Sequence, residues 1–408
     1  MGQGGAWKQG FLPGTTKFVG GPYAAVTDPS VAYDAAHHVW LISSLALSDQ
    51  NGGVAVLVSR SPNGLQWSAP VIVAAAGSGA DLDKNWTVCD NTRSSPFFGH
   101  CYTEFDDFGH ADRIKMSTST DGGRTWGTPL EPAIGDQGLF GQLGIGGQPV
   151  VQPNGTVIVP IDTLVETEIR SFRSTNGGAS WSSTVSVAPI SHHTVAGGLR
   201  TGPLPSAEVD GAGRVYVVWQ DCRFRAGCGS NDIVFSTTED GIHWSPVSRV
   251  PIDPIDNAAD HFIPGLAVDP ATSGSQARLA LTYYYYPSAA CTAATCQLDV
   301  GLIQSLDGGA NWSAPTQLAG PMSLSWLPNT SLGLMVGDYI STSFVAGDPQ
   351  PFFAVAKPPS GGLLDEAIYT TAGPASRAAQ PLRPAQRAPG APRPSAPGNP
   401  SAVGVAAR

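Results

Sequence analysis

One eight-residue phrase, written again and again, limits what this chain can fold into. Ser119-Thr120-Asp121-Gly122-Gly123-Arg124-Thr125-Trp126 returns as Ser174-Thr175-Asn176-Gly177-Gly178-Ala179-Ser180-Trp181 and as Ser305-Leu306-Asp307-Gly308-Gly309-Ala310-Asn311-Trp312. Shortened copies run from Ser61 through Asn63 to Trp67 and from Thr238 through Asp240 to Trp244. The five tryptophans stand 59, 55, 63 and 68 residues apart. Self-similarity at such a period marks a fold built by setting copies of one small unit side by side.

The phrase has the chemistry of a hairpin turn. Each copy follows an alternating apolar run, such as Arg113-Ile114-Lys115-Met116 or Asp232-Ile233-Val234-Phe235, which reads as a strand. Asp or Asn followed by Gly accepts the positive φ of a tight turn, and its side chain bonds nearby backbone N–H groups. The Trp then opens the return strand, and its indole is expected to pack against the hairpin. These ten residues are structural in this reading and carry no chemistry.

Walking the chain gives six units. They open near Val26, Asp83, Gly147, Gly202, Asp260 and Gly337, each with several short strands and almost no helical period. The pattern predicts an all-β fold, a six-bladed β-propeller of four-stranded antiparallel blades. Residues 1–20 read as a lead-in and 21–371 as the propeller. The Ala-, Pro- and Arg-rich stretch 372–408 cannot bury a core and is expected to be disordered. That stretch carries five arginines and no acid, so the rest of the chain bears a net charge of −15 out of the total −10. A body so acidic argues against a nucleic-acid partner.

Six cysteines fall into three close pairs, Cys89 with Cys101, Cys222 with Cys228, and Cys291 with Cys296. Local pairs in even number predict three disulfides and an oxidising, extracellular compartment, although the count alone permits 15 connectivities. The opening Met1-Gly2-Gln3-Gly4-Gly5 lacks the basic start and apolar core of a secretory signal. No apolar run is long enough to span a bilayer. The cysteine spacings do not match a zinc site, and the neighbours His37-His38 and His192-His193 would face opposite ways on a strand. No metal or cofactor is expected, and the chain reads as a monomer.

The repeated phrase resembles the Asp-box of the sialidase (neuraminidase) superfamily, and the five copies span most of residues 20–371. The resemblance implies a secreted propeller directed at extracellular carbohydrate. It implies a sugar-cleaving site in which a Glu activates a Tyr nucleophile, an Asp is the acid/base and three arginines grip the substrate carboxylate; the Tyr is an exception to the usual pair of carboxylates.

In a propeller the first strands of all blades converge on the central channel. Their starts supply Asp83, Lys84, Gln148, Glu208, Asp260, His261, Asp338 and Tyr339. An Asp with an aromatic close behind recurs at Asp83/Trp86, Asp260/Phe262 and Asp338/Tyr339, a pairing suited to sugar hydroxyls and ring faces or to the packing of strand starts. Glu208 stands where other blades carry Ala32, Val88 and Ala267. Through the resemblance, Glu208 is expected to activate Tyr339 or to act itself as the nucleophile, with Asp83, Asp260 or Asp338 as the acid/base. Arg223, Arg200, Lys84, Asp260, His261 and Gln148 are the expected substrate-binding set.

The chain departs from the superfamily pattern at one point of consequence. No arginine precedes Arg60, and the strand that should carry the first clamp arginine reads Thr27-Asp28-Pro29-Ser30. A bidentate arginine fork is hard to replace where a carboxylate must be held. The expected activity is therefore that of a glycoside hydrolase with a non-standard clamp. The alternatives are a non-catalytic glycan- or cell-wall-binding propeller and a protein-interaction scaffold.

Overall fold

The computed structural model describes residues 9–371 and 379–381, and its strands form six blades around a central channel. Blade 1 holds β1 (Ala25–Asp34), β2 (Val39–Leu47), β3 (Gly53–Ser61) and β4 (Val71–Ala75). Blade 2 holds β5 (Leu82–Cys89), β6 (Cys101–Asp107) and β7 (Arg113–Ser119), with a Met116–Leu130 bridge in place of a full fourth strand. Blade 3 comprises β8 (Val150–Val151), β9 (Val157–Asp162), β10 (Glu168–Ser174) and β11 (Val185–Pro189). Blade 4 comprises β12 (Ser206–Val209), β13 (Val215–Asp221), β14 (Asp232–Thr238) and β15 (Ser248–Arg249). Blade 5 runs through β16 (Asp260–Val268), β17 (Leu279–Tyr286), β18 (Gln297–Ser305) and β19 (Thr316–Ser323). A small hairpin, β20 (Asn329–Thr330) and β21 (Gly333–Leu334), leads into blade 6. That blade holds β22 (Ser341–Val345), β23 (Asp348–Ser360), β24 (Leu363–Thr371) and β25 (Ala379–Pro381). Apart from β25, the stretch read as a tail lies outside the described residues, as do residues 1–8. No helix among the described residues is long and apolar enough to cross a membrane.

The repeated phrase does its expected work at every turn. Asp121 Oδ1 accepts from the N–H groups of Arg124 and Thr125, both at 2.9 Å, and Asn63, Asn176, Asp240 and Asp307 accept from the equivalent groups. The tryptophans reach further than their own hairpins. Trp181 meets Tyr102 of the preceding blade edge-on at 6.2 Å, Trp312 meets Phe235 likewise, and Trp244 Nε1 donates to Ser171 Oγ. Neighbouring sheets pack face to face, which puts an indole at a blade edge within reach of the adjacent blade.

Buried apolar clusters fill five seams, from blades 1–2 round to blades 5–6. Among the described residues no such cluster joins blade 6 to blade 1. Val31 on β1 and Val345 on β22 stay 61% and 52% exposed. Polar contacts at the mouth of the channel bridge that seam instead. All three local disulfides are formed, Cys89–Cys101, Cys222–Cys228 and Cys291–Cys296.

Candidate active site

The inner strands carry one recurring irregularity. β1, β5 and β16 each bulge near their start, between Thr27 and Ser30, Asp83 and Trp86, and Phe262 and Gly265. The first bulged residue is left-handed each time: Asp28 at φ 49°, Lys84 at 52° and Ile263 at 49°. Such a conformation costs a non-glycine residue on the order of 1 kcal/mol or more and re-aims its side chain. In blade 3 the same place falls to Gly146 and Gly147 ahead of β8.

The bulges of β5 and β16, Gly146 and Gly147 of blade 3, and the loops ahead of β12 and β22 wall a narrow cleft. Lys84 and Trp86 form one side, Gly146, Gly147 and Gln148 the next, then Leu204, Pro205 and Ser206, then Pro264, and finally Asp338, Tyr339 and Ile340. The Tyr339 hydroxyl donates to Asp28 Oδ1, joining blade 6 to blade 1. Lys84 Nζ donates to Asp338 Oδ2, and Arg200 Nη2 donates to the same oxygen at 2.6 Å. Arg200 is carried there by its own N–H, which bonds the Leu334 carbonyl of β21 at 2.7 Å. Trp86 stands edge-on to the Tyr339 ring at 5.7 Å, and Lys84 Nζ lies 5.2 Å from that ring's centre.

Charge sets the protonation of the group. Burial alone would lower the Lys84 pKa, but Asp338, Asp28 and Asp83 outweigh it and hold the ammonium charged. Burial, with Asp28 close behind, pushes Tyr339 well above the ordinary phenol range. Burial also raises Asp83 to about 6, against the pull of Lys84. A neutral phenol beside a carboxylate, and an acid titrating near 6, are the components of nucleophilic and general-acid chemistry.

Of the residues expected from the sequence, Tyr339, Asp83, Asp338, Lys84, Arg200 and Gln148 come together here. Gln148 lines the cleft while its amide exchanges hydrogen bonds with the Ala207 backbone. Glu208 does not join them. It is two residues further along β12 than the wall residue Ser206, and burial pushes it up to about 8. The carboxylate beside Tyr339 is Asp28, which was read only as the place of a missing arginine. Arg223 folds back on Asp221 at 2.7 and 2.9 Å. Asp260 accepts from Asn231 and is raised to about 6, mainly by burial. His261 is buried against Tyr285, and burial lowers it to about 4.

Two other groups of titrating side chains stand out. Asp232, Asp253 and His261 would suit a metal by spacing, but the guanidinium groups of Arg225 and Arg249 already fill the space between the two carboxylates at 2.5–2.8 Å. Behind the cleft wall, Asp106 lies opposite Asp83 and Glu104 opposite Trp86 in the β5–β6 register. Glu104 is fully buried and neither of its oxygens has a hydrogen-bond partner among the described residues. Its carboxyl fills the place of a side chain at Gly147, where a Cβ would lie 2.4 Å from the carboxyl carbon. Burial raises Glu104 and Asp106 well above the usual carboxylate range and raises Asp112 as well.

A family model described as a BNR repeat-like domain matches residues 43–262. Among solved structures, the chain is similar to a protein of unknown function from Dyadobacter fermentans, with 13% identity over 85% of this chain and 94% of that one, at a TM-score of 0.50. It is similar to the NanB sialidase of Streptococcus pneumoniae, with 13% identity over 85% of this chain and 67% of that one, at 0.53. The Hadza microbial sialidase Hz136 is 13% identical over 81% of this chain, which spans 63% of that protein, at 0.50. At such identities the likeness is one of fold. No curated protein matches the sequence.

Proposed function

The chain belongs to the BNR repeat-like domain family, and on that footing we propose that it is an extracellular glycoside hydrolase working in the cleft at the channel mouth. The observation that carries this reading is the hydrogen bond from Tyr339 to Asp28. A phenol with a raised pKa cannot attack as a preformed anion at neutral pH. It needs a base in contact to take its proton as the new bond forms.

In the first step the Tyr339 oxygen bonds to the anomeric carbon while its proton passes to Asp28. The glycosidic C–O bond breaks, and its electron pair leaves on the departing oxygen, which Asp83 protonates. In the second step Asp83, now a carboxylate, takes a proton from water as that water attacks the same carbon. The sugar–Tyr339 bond breaks and Asp28 returns the phenol proton. An acid near pKa 6 suits both halves of the cycle. Trp86 offers an aromatic edge beside the reacting centre. Lys84 and Arg200 hold Asp338, which fixes the backbone that carries Tyr339.

Two of the similar structures are sialidases by name, which supports a glycoside as the substrate class. The three disulfides support an oxidising compartment. The test is fluorophore release from a panel of 4-methylumbelliferyl glycosides, sialoside included, by the intact protein and by Tyr339→Phe. Turnover on at least one member, lost by roughly 10³-fold in the variant, supports the mechanism. Buffer-level release on every member overturns it and leaves a glycan-binding propeller.

A further inference from the structure

The proposed reaction leaves the sugar unspecified, and the charge balance of the cleft narrows it. Lys84 is the one cationic residue among the described residues lining the cleft, and its side chain is only 4% exposed. Its ammonium is spent on Asp338 Oδ2, and the Arg200 guanidinium that reaches the same place is spent on the same oxygen. The next arginines along the chain are committed too, Arg223 to Asp221 and Arg225 to Asp232 and Asp253.

Against these cations stand the carboxylates of Asp338 and Asp28, with Asp83 close enough to feel both. The remaining wall is largely apolar, formed by Trp86, Leu204, Pro205, Pro264 and Ile340. A sugar bearing its own carboxylate would shed its hydration here without finding a free guanidinium. It would also lie near two negative groups. An uncharged sugar meets a hydroxyl-accepting carboxylate, an aromatic edge and apolar walls.

We infer that the cleft takes a neutral terminal sugar, an uncharged pyranose or furanose, and that Asp338 excludes acidic sugars by occupying the two cations that would otherwise grip a carboxylate. This rests on the carbohydrate reading of the cleft but not on turnover. Binding to the wild-type protein is measured by calorimetry with free galactose and arabinose on one side and N-acetylneuraminate and glucuronate on the other. The same sugars are then titrated into Asp338→Asn, which removes the charge and keeps the shape.

The wild type is expected to bind a neutral sugar at least about tenfold more tightly than either acid. Asp338→Asn is expected to gain about tenfold or more for N-acetylneuraminate, in a salt-sensitive way. Tighter wild-type binding of an acidic sugar overturns the inference and leaves the hydrolase reading standing. A folded Asp338→Asn with no gain overturns the role given to Asp338. If that variant fails to fold, the wild-type comparison still decides. Absence of binding by all four sugars overturns this inference, whereas binding without turnover on the glycoside panel overturns only the hydrolase reading.

Discussion

The Tyr339 hydroxyl donates to Asp28 across 311 residues of sequence, at the one seam where no buried apolar cluster joins neighbouring blades among the described residues. The proposed nucleophile couple is thus also a clasp of the ring. Tyr339→Phe and Asp28→Asn should each lower unfolding free energy by about 1.5–3 kcal/mol, the usual worth of a hydrogen bond to a charged group. Each should also remove turnover. Denaturant unfolding of the two single variants and the double variant provides the check. If the two losses add in full, the residues do not act on one another.

Asp83 makes a prediction about pH. The general acid must carry its proton to reach the leaving group, and burial sets its pKa at about 6. On its alkaline limb kcat/KM should therefore fall as pH rises through about 6. In Asp83→Asn this alkaline limb should disappear along with most of the rate on substrates with poor leaving groups. A limb that persists unchanged in the variant would assign it to another group.

The buried carboxyls predict a slope in stability. Glu208 is raised to about 8 and Glu104 well above the usual carboxylate range, both chiefly by burial. The folded state then keeps protons that the unfolded state loses above about pH 4.3. Their contribution is complete below that pH and is lost as pH rises, through about 8 in the case of Glu208. Asp121 acts in the opposite sense. Its turn hydrogen bonds outweigh burial and lower it to about 2, so its contribution is present above about pH 4 and fades in acid. Melting curves from pH 5 to 9 should fall with pH in the wild type and flatten in Glu208→Gln and Glu104→Gln.

The tryptophans of the repeat should differ in worth despite identical local sequence roles. Trp181 is 4% exposed and packs on Phe172 of its own blade and on Tyr102 across a filled seam. Its replacement by Ala should cost about 3–5 kcal/mol. Trp67 belongs to blade 1, whose preceding neighbour is blade 6, and it joins no buried cluster. Trp67→Ala should cost much less. Equal midpoint shifts in urea would mean that the indole acts within its own hairpin after all.

Much of the architecture was legible because its signals are local. A turn such as Asp121-Gly122-Gly123 closes its hydrogen bonds within four residues, and each disulfide joins cysteines 12, 6 or 5 residues apart. Blade openings at Asp83 and Asp260 fell within a residue of β5 and β16. Tyr339, Lys84 and Asp338 were legible as strand-start residues, although their partners were not. Asp28 went unread for its own chemistry because its strand was compared with a motif that requires arginine there. Glu104 was invisible for a different reason: it sits on a second strand, and only the close approach of Gly147 brings it behind the cleft.

By itself, then, the sequence determined the repeated hairpin, the six blades, the disulfide pairs and the strand starts that face the channel. Short-range dihedral preferences and hydrogen bonds are enough for all of these. The tertiary structure alone decided that Asp28 meets Tyr339, that Lys84 and Arg200 share Asp338, and that Glu208 stands apart from them. Such contacts join residues up to 311 positions apart. They exist only once the ring has curved round on itself and the bulged residues Asp28 and Lys84 have met Tyr339 and Asp338.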